Sequence, residues 1–135
     1  MSSIDLSSLS KAIVSLEAAI TRSKIDKDDD IVRDAVIQRF EYTYELAFKL
    51  LKRTLEKISI TPGEVDAFSF NQLLRNSAER GLIDNVQNWI IHRYHRNLTS
   101  HTYNQEKAEH VYAGVFIFFD DVKKLYKKLE LYSND

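Results

Sequence analysis

Cysteine is absent from this sequence. That excludes a disulfide framework, a thiolate nucleophile and a cysteine-ligated zinc site. Proline occurs once and glycine three times in 135 residues. A β-sandwich or barrel needs many more turn residues, so these scarcities point to a bundle of helices. No apolar run approaches the roughly 18 residues that a membrane helix requires. The opening "MSSIDLSSLS" lacks the basic region and apolar run of a secretory signal, so a cytoplasmic protein is expected. An excess of one charge is missing too, since the net charge is −1. A protein that grips nucleic acid through its overall field would be strongly basic, so any such contact must come from a local site.

What is present fits one soluble domain spanning residues 1–135, with a single core. Apolar spacing draws five helical segments. The first runs from about Asp5 to Lys24, with Leu6, Leu9, Ile13, Leu16 and Ile20 on one stripe. "DKDDD" follows. Consecutive aspartates can suggest a magnesium site, but they precede a long helix whose dipole favours carboxylates at its start. That second helix is expected from Asp30 to Ser59, and "TPG" at Thr61 to Gly63 ends it. Ser69 with Gln72 fits a capping box for a short third helix, and Gly81 suits its C-terminal end. Asp84 with Gln87 suggests a second capping box before a fourth helix carrying Val86, Trp89, Ile90 and Tyr94. This helix should weaken near Thr99 and Ser100, which favour caps and turns. Asn104 can cap the fifth helix, whose stripe includes Ala108, Val111, Val115, Phe118, Phe119, Val122, Leu125 and Leu129.

Seven Phe and seven Tyr are many for this length, and most lie on the apolar stripes, where core packing explains them. Wide aromatic stripes also suggest a face buried against a second copy of the chain. Lys123, Lys124, Lys127 and Lys128 read as a solvated face, with an RNA-facing patch as the alternative.

All four histidines lie between His92 and His110. His92 and His95 sit at helical spacing, but no carboxylate in the same turn completes a metal shell, so surface or interface positions are expected for both. Arg96 and His101, within "RNLTSHTY", pose a different case. On a continuous helix they would diverge. If the helix ends near Thr99, the loop can bring them together. Cleavage of an RNA phosphodiester requires proton transfer from the 2′-hydroxyl and to the leaving oxygen, which histidine can perform near neutral pH. It also requires neutralisation of phosphorane charge, which a guanidinium supplies. Asn97 can position the phosphate or orient His101. No metal or cofactor is required. One chain offers one such histidine, so two copies sharing a cleft would supply both acid and base. Glu41 and Glu45, one turn apart, pair locally by default; the alternative is a pairing with Arg93 or Arg96 from a packed helix.

"RNLTSHTY" resembles the R-x4-H-x-Y signature of HepT-type HEPN proteins, here Arg96, His101 and Tyr103. "VIQRFEYTYELAFKLLKR", Val36 to Arg53, and "GLIDNVQNWI" are similar to blocks of the branch called nucleotidyltransferase substrate-binding proteins. The resemblance covers most of the chain. One departure is that the branch often reads "SHTYDE", whereas here Tyr103 is followed by Asn104 and Gln105, with no acidic residue until Glu106. The resemblance implies an all-α, up-and-down HEPN-like bundle forming a homodimer. It implies a metal-independent RNase toxin acting on RNA, with Arg96 and His101 as catalytic residues; Asn97, from its chemistry and position, joins them as an assisting catalytic residue. Its partner would be a minimal nucleotidyltransferase, an antitoxin that adenylates Tyr103. The alternative it leaves open is a non-catalytic subunit that presents substrate to that nucleotidyltransferase.

Overall fold

The structure, a computed structural model, describes residues 4–133. The outermost positions of the expected 1–135 domain, 1–3 and 134–135, lie outside that range. Five α-helices follow in chain order: α1 (Ser7–Ile25), α2 (Asp30–Ile58), α3 (Phe70–Glu79), α4 (Val86–Leu98) and α5 (Gln105–Ser133). Short 3₁₀ turns occupy Val65–Ala67 and Thr99–His101, and no strand occurs among the described residues.

Local chemistry sets most boundaries. Asp29, the middle of the three consecutive aspartates, caps α2 by accepting from the backbone N–H groups of Ile31 and Val32. Ser69 and Gln72 form the reciprocal capping box at α3. Gly81, at φ 76°, ends α3 in a left-handed turn. Its N–H donates to Ala78 and that of Leu82 to Ser77, the two bonds of a Schellman closure. Asn104 accepts from Lys107 N–H at 3.0 Å and so caps α5. One expected cap is corrected. The residue that caps α4 is Asn85, accepting from Asn88 N–H, rather than Asp84 paired with Gln87. Asp84 and Asn85 are both good capping residues, and the extended backbone falls at Asn85 (φ −136°, ψ 103°).

Contacts between helices give the topology. Arg39 donates to the Ser15 carbonyl, and Thr43 to that of Ala12, so α1 and α2 run antiparallel. Phe40 meets Phe118 and Lys57 reaches the Tyr132 carbonyl, so α2 and α5 run parallel. Asn88 contacts Asp121 while His95 lies against Gly114, so α4 returns antiparallel to α5.

The core centres on Phe118, which is fully buried. Its ring lies 4.8 Å from Phe40, 5.9 Å from Trp89 and 5.2 Å from His92, each edge to face, the arrangement that aromatic quadrupoles favour. Leu9, Leu16, Leu51, Leu55, Leu125 and Leu129 extend this core along the helices. Phe119, expected on the same stripe as Phe118, is only half-buried, with Lys123 over its ring at 4.2 Å. Among the described residues, no helix is long and apolar enough to cross a membrane.

Candidate functional site

Helix α4 carries two distinct faces. Its inner face holds Trp89, His92 and His95, all buried. The surface or interface positions expected for the two histidines are therefore corrected: both are buried within the chain. Both have partners on α5, far away in sequence and invisible to local spacing. His92 Nε2 lies 2.7 Å from Asp121 Oδ2, which also accepts from the Asn88 amide at 3.1 Å. Burial, opposed by the Asp121 hydrogen bond and charge, pushes the His92 pKa down. The neutral ring then donates from Nε2. The ring of His95 fills the gap that Gly114 leaves on α5 and meets the His110 ring at 5.0 Å. Burial, followed by the His110 and His92 charges, lowers its pKa as well. These histidines belong to the packing between α4 and α5.

The outer face of α4 carries Arg93, Arg96 and Asn97, one turn apart. They line an open cleft of about 430 Å³ between α4, α2 and the start of α3. From α2 come Tyr44, Glu45 and Lys52, and from the α3 side Asp66 and Phe70. Arg96 Nε is ion-paired with Glu45, so the pairing with a packed helix prevails over local pairing. Glu41 instead accepts from the Thr99 hydroxyl at 2.9 Å, which ties the end of α4 to α2. Burial pushes the Tyr44 phenol up to about 12, against the lowering effect of the Arg93 charge.

The helix gives way at Leu98 as its threonine and serine suggest. Thr99 donates to the Arg96 carbonyl at 2.7 Å and Thr102 to that of Thr99 at 3.1 Å. These short bonds hold the 3₁₀ turn that carries His101. His101 is exposed, and Tyr103 is 87% exposed. Their rings lie 6.2 Å apart at 68°. The fold thus places Arg96 and Asn97 in the cleft and sets His101 beside Tyr103 on the adjoining turn. Among the described residues, no side-chain hydrogen bond, ion pair or ring contact joins the two pairs within one chain. No group of three or more His, Asp or Glu side chains among them is arranged to hold a metal ion.

Arg93 was named in the sequence only as an alternative partner of Glu41 or Glu45, although its spacing of three and four to Arg96 and Asn97 is a signal that could have found it. Phe70 carried no such signal, because only the tertiary path of the segment after α2 brings it beneath Arg93.

Fold and site together define an all-helical bundle with a polar turn after its fourth helix and a charged cleft beside it. Residues 4–131 match the model of the family described as nucleotidyltransferase substrate binding protein like, and the chain belongs to that family. It is 37% identical over 134 residues to the protein named "Probable ribonuclease HepT" of Haemophilus influenzae, covering 93% of this chain and 92% of that one. A solved Haemophilus influenzae structure, described as the fold of a substrate binding domain of a nucleotidyltransferase, superposes with a TM-score of 0.87. It is 34% identical, and the match covers 93% of this chain and 99% of that one. A Thermus thermophilus structure matches with a TM-score of 0.75 and 26% identity, over 90% of this chain and 98% of that one.

Proposed function

We propose that the protein is the RNase toxin of a toxin–antitoxin pair, a metal-independent endoribonuclease restrained by a partner nucleotidyltransferase that adenylates Tyr103. The observation that carries this reading is the exposed His101–Tyr103 ring pair on the turn that leaves Arg96 and Asn97. The name of the Haemophilus relative supports the ribonuclease part, and the family description supports the nucleotidyltransferase partner.

The reaction divides among these residues. Arg96 neutralises the phosphate, and Asn97 orients it. One His101 removes the proton of the 2′-hydroxyl, whose oxygen then attacks the adjacent phosphorus. The 5′-oxygen of the next nucleotide leaves and takes a proton from a second His101, supplied by a second copy of the chain. The products are a 2′,3′-cyclic phosphate and a free 5′-hydroxyl. In adenylation, the Tyr103 oxygen bonds to the α-phosphorus of ATP as pyrophosphate departs, and the phenolic proton passes to solvent. The attached phosphodiester then lies beside the cationic site and competes with RNA phosphate. Tyr103 is exposed enough for a second enzyme to reach.

The test is RNA degradation in EDTA by the purified chain and by His101→Ala. The parent should cut and the variant should not; equal cutting by both removes His101 from the mechanism. The second reading, a non-catalytic subunit presenting substrate to the nucleotidyltransferase, draws on the description of the solved Haemophilus structure. Adenylation at Tyr103 with no RNA cleavage by the parent would favour it.

A further inference from the structure

The cleft beside Arg96 holds more recognition chemistry than phosphate cleavage needs. Three cations, Lys52, Arg93 and Arg96, face two carboxylates, Glu45 and Asp66. Lys52 lies 3.4 Å from Asp66, and Arg96 is paired with Glu45. Arg93 has no ion-pair partner among the described residues. Its guanidinium carbon sits 4.0 Å over the Phe70 ring. Phe70 meets Phe48 at 5.6 Å, and Phe48 stacks on Tyr44 at 6.1 Å and 11°. Phe48 and Phe70 are only partly buried. An aromatic run therefore ends in a planar, unpaired cation, one helical turn from Arg96 and Asn97.

We propose that this cleft is a nucleotide subsite for single-stranded RNA. In it, the base next to the scissile phosphate stacks on the Arg93–Phe70 platform, and Lys52 faces the following phosphate. The proposal rests on the ribonuclease reading above and adds where the substrate strand runs. Unpaired bases are held by stacking on aromatic rings and arginine planes, and the backbone by nearby cations. The cleft volume of about 430 Å³ falls within the range of small-ligand sites. The surplus positive charge lies here although the chain as a whole has a net charge of −1. That is the local electrostatic footprint a near-neutral chain needs to bind a polyanion.

The experiment separates this subsite from the cleavage reading by measuring binding without cleavage. Full-length His101→Ala is titrated into a fluorescently labelled single-stranded oligoribonucleotide, and anisotropy is read at several salt concentrations. Adding Arg93→Ala should weaken binding about tenfold or more. Adding Lys52→Ala should flatten the salt dependence by about one phosphate contact. Lys127→Ala, on the exposed outer side of α5, serves as the control and should change neither. Circular dichroism checks that each variant is folded, and Arg93→Gln, which truncates less than alanine and removes the charge, replaces Arg93→Ala if that variant is not. If Arg93 variants bind RNA like the parent while RNA is still cut, the subsite is wrong and the ribonuclease reading stands. If Lys127→Ala takes the affinity instead, the strand runs along α5. If Arg93 variants keep RNA but lose a co-purifying nucleotidyltransferase, the cleft is a protein dock. If the parent neither binds nor cuts RNA, both readings fail.

Discussion

The guanidinium of Arg96 is engaged by Glu45, a carboxylate one helix away, at the mouth of the cleft. The side chains are 37% and 52% exposed, so the pair adds about 0–1 kcal/mol at most to stability. Its greater consequence is competition, because a phosphate must displace Glu45 or share Arg96 with it. Glu45→Gln should bind single-stranded RNA severalfold more tightly, with an unfolding midpoint close to that of the parent. Unchanged affinity in anisotropy titrations would mean that Arg96 does not touch phosphate.

Tyr103 presents its phenol to solvent, and its one ring contact among the described residues is with His101. Tyr103→Phe should therefore leave thermal stability within about 0.5 kcal/mol of the parent. Incubation with a cognate nucleotidyltransferase and ATP should add one adenylate to the parent and none to the variant, as read by intact mass. Modification of both proteins would place the acceptor elsewhere.

Features written within four residues of each other were readable in advance. The Ser69–Gln72 box, the run of carboxylates at the start of α2, the Gly81 turn and the break of α4 near Thr99 all depend on neighbours in sequence. The stripe on α5 likewise identified Val111, Val115 and Phe118 as core. Where two adjacent residues suit one role, as Asp84 and Asn85 do, the local pattern cannot choose between them. His92 was misplaced for a different reason. Its partner Asp121 is 29 positions away, and a histidine with no carboxylate in its own turn reads as a surface or interface residue. The candidate site was legible as a motif, while its division between a cleft and an exposed turn needed the packing of α4 on α2.

His92 and His95 are both held below the ordinary histidine range, chiefly by burial. In the unfolded chain they take up protons near pH 6.5, while the folded chain resists. The unfolded state thus binds more protons as pH falls, and folding weakens. Their contribution is fully present above about pH 6.5 and is lost progressively below it. The unfolding midpoint should drop between pH 7.5 and 5.5, and His92→Gln should reduce the slope. An equal slope in that variant would show that His92 does not drive the acid sensitivity.

Gly114 sits in the middle of α5, where alanine would ordinarily stabilise the helix by up to about 1 kcal/mol. Here a Cβ would overlap Cε1 and Nδ1 of the buried His95 ring. The ring is packed between helices and has little room to retreat, so overpacking should outweigh propensity. Gly114→Ala should cost about 1–3 kcal/mol in urea unfolding. In a His95→Ala background the obstacle is gone and the sign should reverse, with the alanine at 114 stabilising the chain. The two substitutions touch the same space, so this non-additivity is the expected signature of direct contact. Equal destabilisation in both backgrounds would show that something other than the imidazole requires the glycine.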